Sequence, residues 1–167
     1  VVNPYYNKPT QQGLYEHFRA VAESTALPIL TYNIQSRTAI NVETDTMARL
    51  ARDCRNIVGV KEASGSLDQM SQVILACGPE FCVLSGDDNI TLPLLAIGGR
   101  GVISVIANIL PRETSDMVHA ALEGDWKRAR DLHYKLFPMA RAAFLETNPI
   151  PIKEAMAMAG MIEPEFR

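Results

Sequence analysis

The chain has little of what marks a membrane, nucleic-acid, metal-binding or disulfide-rich secreted protein. Its longest apolar stretches are strand-sized, and no window of about 20 apolar residues exists to cross a bilayer. It has no basic run, and 19 Asp and Glu against 16 Lys and Arg leave a net charge of -3, so nucleic acid has no electrostatic footprint on it. The N-terminus lacks the charged and apolar segments of a signal peptide. There are 3 cysteines, Cys54, Cys77 and Cys82, without metal-ligand spacing. They are read as buried free thiols, which suits a reducing cytoplasm. His17, His119 and His133 lie far apart on predicted helices and are read as ordinary helix residues. No Gly-x-Gly-x-x-Gly turn follows any apolar run, so a dinucleotide site is unsupported. Neither a cofactor nor a metal is expected.

What is present is a recurring unit. Of 167 residues, 47% are apolar, enough for one domain or part of a larger one. Short apolar runs start at Ile29, Ile57, Phe81 and Val102, in steps of 28, 24 and 21 residues. They are too uniformly apolar for a half-exposed antiparallel sheet, and segments of helical periodicity separate them. Leu14, Phe18, Val21 and Ala22 share one face of a helix from about Gln11 to Thr25. Thr44 or Asp45 is placed to cap a second helix. Ser66 with Gln69 forms a capping-box pattern, and Gly78 falls where that helix should stop. Pro111 suits a helical first turn, Asp87-Asp88 suits a cap, and Trp126, Ala129, Leu132, Leu136 and Met139 are spaced for burial on a long helix containing Pro138. Parallel strands with helical crossovers form either a closed (β/α) barrel or an open doubly wound sheet. In a barrel, catalytic groups collect at the carboxyl ends of the strands. Here those ends carry Tyr32-Asn33, Lys61-Glu62, Ser85-Gly86-Asp87 and Ser104, which favours the barrel.

Lys61 closes the run Ile57-Val58-Gly59-Val60. An ammonium at the end of a buried strand loses water. Desolvation lowers its pKa, and a neutral amine attacks carbonyl carbon. The competing reading is a lysine that snorkels from the sheet end or pairs with Glu62. Tyr32 has a hydroxyl that can relay protons during imine formation, and Arg37 offers a two-pronged donor for a carboxylate. Gly86 lets backbone approach a small ligand closely. Each also has a plainer reading, as packing for the tyrosines and as a solvated loop charge for Arg37.

Six segments occur in order: Tyr5-Tyr6-Asn7-Lys8-Pro9, Tyr32-Asn33-Ile34-Gln35-Ser36-Arg37-Thr38, Gly59-Val60-Lys61-Glu62-Ala63-Ser64-Gly65, Leu84-Ser85-Gly86-Asp87-Asp88, Gly101-Val102-Ile103-Ser104-Val105 and Asn148-Pro149-Ile150-Pro151-Ile152-Lys153. Together they resemble the dihydrodipicolinate synthase family over essentially the whole chain. The resemblance implies an α/β fold of the (β/α)8 TIM-barrel type. This chain would run from the end of the fourth strand through the eighth, with residues 1–122 in the barrel half and 123–167 in the last barrel helix and the start of a C-terminal helical region. It also implies that Lys61 forms the Schiff base with pyruvate, Tyr32 shuttles protons, and Tyr6 crosses a dimer interface into the neighbouring site. Arg37 would hold the carboxylate of L-aspartate 4-semialdehyde, Gly86 would line the pyruvate pocket, and Ile103 would place its backbone carbonyl near the lysine. The implied enzyme is a homo-oligomer, a dimer of dimers, working in lysine and diaminopimelate biosynthesis without a cofactor.

The chain departs from the family pattern in several places. The family's Gly-Thr-Thr-Gly-Glu loop, whose threonines bind the pyruvate carboxylate, does not occur in it. Gln35 stands in place of proline, which loosens the expected placement of Arg37. Ala39 and Ile106 stand where glycine and threonine are common. Both ends read as cut, and a half-barrel with two unpaired sheet edges is expected to be poorly active alone. Two alternatives stay open: a sister aldolase acting on N-acetylneuraminate or a 2-keto-3-deoxy sugar acid, and an inactive half-barrel fragment.

Overall fold

A computed structural model describes all residues, Val1–Arg167. Four parallel strands, β1 (Ile29–Asn33), β2 (Ile57–Glu62), β3 (Cys82–Ser85) and β4 (Gly101–Val102), lie side by side in sequence order. A doubly wound sheet reverses direction at a switch point. This one never reverses, so it is a stretch of (β/α) barrel wall. Val2 adds one more parallel bridge, to Tyr32 on the outer side of β1.

Helices α1 (Gln11–Glu23), α3 (Thr44–Asp53), α4 (Leu67–Cys77) and α5 (Thr91–Ala96) accompany the strands, with a short α2 (Gln35–Thr38) after β1. Leu14, Phe18, Met47, Leu50, Met70, Val73 and Leu94 are fully buried beside Ile57, Val60 and Val83. A second cluster joins α6 (Pro111–Leu122) to α7 (Trp126–Ala142) through Met117, Leu136 and Ala140. The chain continues into α8 (Ile150–Met158). Ser66 accepts from the Gln69 amide at 3.1 Å, and Gly78 ends α4 at a φ of 84°. Both agree with the sequence reading.

Four expectations change. Thr44 and Asp45 do not cap α3; they are its first residues, after an extended Glu43 without a side-chain cap. β4 stops at Val102, so Ser104 lies beyond the strand rather than at its end. Trp126, the first residue of α7, is exposed rather than buried. Of the thiols only Cys54 is buried; Cys77 and Cys82 are half-buried, and all three are free.

The register decides which side chains share a face. Tyr32, Lys61, Leu84 and Gly101 form one row across the strands, and Asn33, Glu62, Ser85 and Val102 form the next. Side chains alternate across a sheet. The first row therefore faces away from α1, α3 and α4, and the second faces the helix layer. One irregularity precedes them: Ile29 pairs with Ile57, but Leu30 pairs with Gly59, so β2 holds one extra residue, Val58.

Candidate active site

Lys61 leaves β2 half-buried, its ammonium 4.2 Å from the centre of the Tyr32 ring. That places a cation on the electron-rich face of an aromatic ring, worth about 0.5–1 kcal/mol at a partly exposed site. No carboxylate lies within ion-pairing distance of the ammonium. Burial pushes the Lys61 pKa below the ordinary lysine value; the Asp88 charge opposes that shift and the Arg37 charge adds to it. The net direction favours the nucleophilic amine. Burial raises the Tyr32 pKa, with the Arg37 charge opposing.

The pairing of Lys61 with Glu62 does not occur. Glu62 points into the helix layer, fully buried. Its carboxylate accepts from Asn33 Nδ2 at 3.2 and 3.3 Å, from the Ser64 amide at 2.8 Å and from Gln69 Nε2 at 3.5 Å. Asn33 in turn binds Asn41 and the Val42 amide. The segment that follows Lys61 is thus anchored from below, and the lysine is left without an acidic partner.

Gly86 begins the turn after β3, its amide donating to Glu62 O at 2.8 Å. A Cβ built on it would lie 2.7 Å from Ala63 Cβ and 3.1 Å from Lys61 Cε. Ala63 and Lys61 already fill that position, so only glycine lets the turn pass this close to the lysine. Ile103 follows β4 and its amide donates to Ser85 O at 2.9 Å. Its side chain is partly exposed.

Arg37 lies on α2, where Gln35 is the first residue, a position that also tolerates proline. Its Nη2 donates to Asn148 O at 3.2 Å. Ala39 ends α2 in the left-handed region, φ 59°, a conformation that favours glycine. Its methyl group costs on the order of 1 kcal/mol there. The structure thus brings Lys61, Tyr32 and Gly86 together, with Arg37 and Ile103 on adjoining segments. Tyr6 is not among them: its side chain is 90% exposed.

Sequence reasoning missed Asp88. It does not cap a helix; Asp87 does, accepting from the Asn89 amide at 2.9 Å. Asp88 is buried and accepts from Ser104 Oγ and from the amides of Val105 and Ile106. Its partners lie at least 16 residues away, and no local pattern points to them. No group of three or more His, Cys, Asp or Glu side chains is arranged to hold a metal ion, and no helix is long and apolar enough to cross a membrane.

A singly wound parallel sheet with a partly desolvated lysine at the carboxyl end of an inner strand defines part of a (β/α)-barrel protein. The family model described as the dihydrodipicolinate synthetase family matches residues 1–167, and the chain belongs to that family. It is 53% identical to the 4-hydroxy-tetrahydrodipicolinate synthase of Aquifex aeolicus, over 100% of this chain and 57% of that protein. The crystal structure of dihydrodipicolinate synthase from Aquifex aeolicus superposes with a TM-score of 0.98 over the same shares. That of the chloride-inhibited enzyme from Acinetobacter baumannii, complexed with pyruvate, does so at 0.95 with 41% identity, covering 99% of this chain and 57% of that one. The chain thus spans little more than half the length of the relatives it matches.

Proposed function

We propose that the protein condenses pyruvate with L-aspartate 4-semialdehyde through a lysine imine, giving 4-hydroxy-tetrahydrodipicolinate for lysine and diaminopimelate synthesis. The observation that carries this reading is the Lys61 amine, half-buried, without an acidic partner and 4.2 Å from the Tyr32 ring centre. The pyruvate complex of the Acinetobacter relative supports the first substrate, and the 53% identity to a named synthase supports the second.

In this reading the neutral Lys61 amine adds to the keto carbon of pyruvate. A proton passes by way of Tyr32 from nitrogen to the departing oxygen, and water leaves as the imine forms. Loss of a methyl proton gives the enamine, whose carbon bonds to the aldehyde carbon of the semialdehyde. The amino group of the semialdehyde then attacks the imine carbon, which closes the ring and frees Lys61. Arg37 receives the semialdehyde carboxylate, Gly86 lines the pyruvate pocket, and Ile103 lends its backbone carbonyl. Tyr6, exposed here, serves the neighbouring subunit in a dimer of dimers. No cofactor takes part, and the free thiols fit a cytoplasmic setting.

The test uses the protein as its gene encodes it. Borohydride with pyruvate is expected to leave a reduced adduct on Lys61, absent in Lys61→Ala, and the parent is expected to turn over aspartate semialdehyde faster than it cleaves N-acetylneuraminate. A parent that forms no adduct would refute the imine. A parent that prefers N-acetylneuraminate would move the protein to the sister lyases.

A further inference from the structure

Two carboxylates are buried near Lys61, and the chemistry above uses neither. Glu62 is absorbed in the helix layer. Asp88 lies two residues beyond Gly86, in a short 3-10 turn, Asp88–Ile90, and is 6% exposed. Its Oδ1 accepts from Ser104 Oγ at 2.5 Å, and its Oδ2 accepts from the Val105 amide at 2.9 Å and the Ile106 amide at 3.3 Å. Ser104 Oγ accepts in turn from the Ala107 amide at 2.8 Å.

All the donors that converge on Asp88 belong to the segment directly after Ile103. That segment leaves a strand only two residues long, so β4 gives it little ladder of its own. Its fixed points are the bond from the Ile103 amide to Ser85 O, at the end of β3, and the Asp88 carboxylate, in the turn that follows. An ionised carboxylate is acceptor-only and suits three donors. An amide would turn its NH2 toward one set of them.

We infer that Asp88 is a positioning residue for the imine chemistry: it locks Ile103–Ile106 against the Lys61 end of the sheet. The inference rests on the lysine-imine reading and adds to it a residue that never touches substrate. Asp88 also acts on the lysine through its charge. The groups that face Lys61 are Tyr32 from β1, Arg37 from α2 and Asp88 from the turn after β3. His133 of α7 shares a cavity of about 10 Å³ with Asp88. Asp88 favours the ammonium, whereas burial and Arg37 favour the amine. Removing the Asp88 charge therefore lets Lys61 lose its proton at lower pH.

The experiment measures the rate of borohydride-trapped pyruvate adduct against pH, and steady-state condensation, in the protein as its gene encodes it. Asp88→Asn is expected to keep trapping pyruvate, with the acid limb of the rate profile moved about half a pH unit lower, the effect of removing one charge near a half-exposed site. Its kcat should fall about tenfold because the Ile103 segment is loosened. Ser104→Ala should lower kcat a few-fold and leave the acid limb in place, since the charge remains. An unmoved acid limb and a kcat within twofold of the parent in Asp88→Asn overturn the inference while the imine reading stands. So does a loss in Asp88→Asn that is equal at every pH and matched by loss of folded protein. If Asp88→Asn does not fold, an unchanged kcat in Ser104→Ala overturns it instead. A parent with no Lys61 adduct sinks the proposed function and the role of Asp88 together.

Discussion

Lys61 and Glu62 are neighbours in one strand, and they live in opposite electrostatic worlds. Glu62 looks into the helix layer, where four donor contacts from Asn33, Ser64 and Gln69 converge on its two oxygens. Lys61 looks the other way, half-buried against a tyrosine ring with no acid in pairing range. Both have shifted pKa values, and burial is the first cause for each: it raises the Glu62 carboxyl and lowers the Lys61 ammonium. The difference lies in what surrounds the loss of water. Around Glu62 the hydrogen bonds offset part of the lost hydration and hold the backbone still. Around Lys61 they do not replace it, and the amine stays available. Burial with partners makes a strut; burial without them is what the proposed nucleophile requires.

The contrast can be attacked from either side. Lys61→Ala should have the largest effect, a loss of condensation of about a thousandfold or more with little change in urea midpoint, because a nucleophile goes and no hydrogen bond does. If the midpoint fell sharply while activity survived, the two roles would be reversed. Glu62→Ala should do the opposite and cost about 3 kcal/mol in urea denaturation, since Asn33, the Ser64 amide and Gln69 lose their acceptor. The pH dependence has a definite sign. A carboxyl whose folded pKa is raised binds more protons folded than unfolded, so its share of stability is complete below the ordinary glutamate value and is lost as pH rises through the raised one. Urea curves for Glu62→Gln should lack that loss. Tyr32→Phe should slow condensation about a hundredfold by removing the proton relay, yet leave the ring under the ammonium and the stability intact. Gly86→Ala is expected to cost about 1–2 kcal/mol, because a methyl 2.7 Å from Ala63 Cβ overpacks the turn, and to slow adduct formation by crowding Lys61 Cε.

Much of this contrast could be read from the residues. Apolar runs between helical segments gave the strand-helix alternation, and polar residues at four strand ends favoured a barrel over an open sheet. Ser66 and Gly78 marked the ends of α4 because caps are local chemistry. Lys61 stood out because a charge at the end of an apolar run is locally anomalous. The partners of Glu62 and Asp88 were not legible. Asn33 lies 29 residues before Glu62, and Ser104 lies 16 beyond Asp88. Only the folded chain brings them together, so Asp88 looked like the cap that Asp87 in fact provides. The early end of β4 was hidden for the same reason. Val102 to Val105 has strand-like residues, but the Asp88 carboxylate takes the amides of Val105 and Ile106.

The extra residue in β2 has a consequence for transplanting this chemistry. A strand counts in twos, and Val58 changes the parity between Ile57 and everything above it. Placed in another barrel as a regular strand with Ile57 still toward the helices, the same six letters would send Lys61 into the packed layer and Glu62 to the opposite face. Dropping Val58 as well would restore the original assignment. The irregularity therefore works as a one-bit address, and a graft that copies the lysine without copying the count delivers it to the wrong side of the wall.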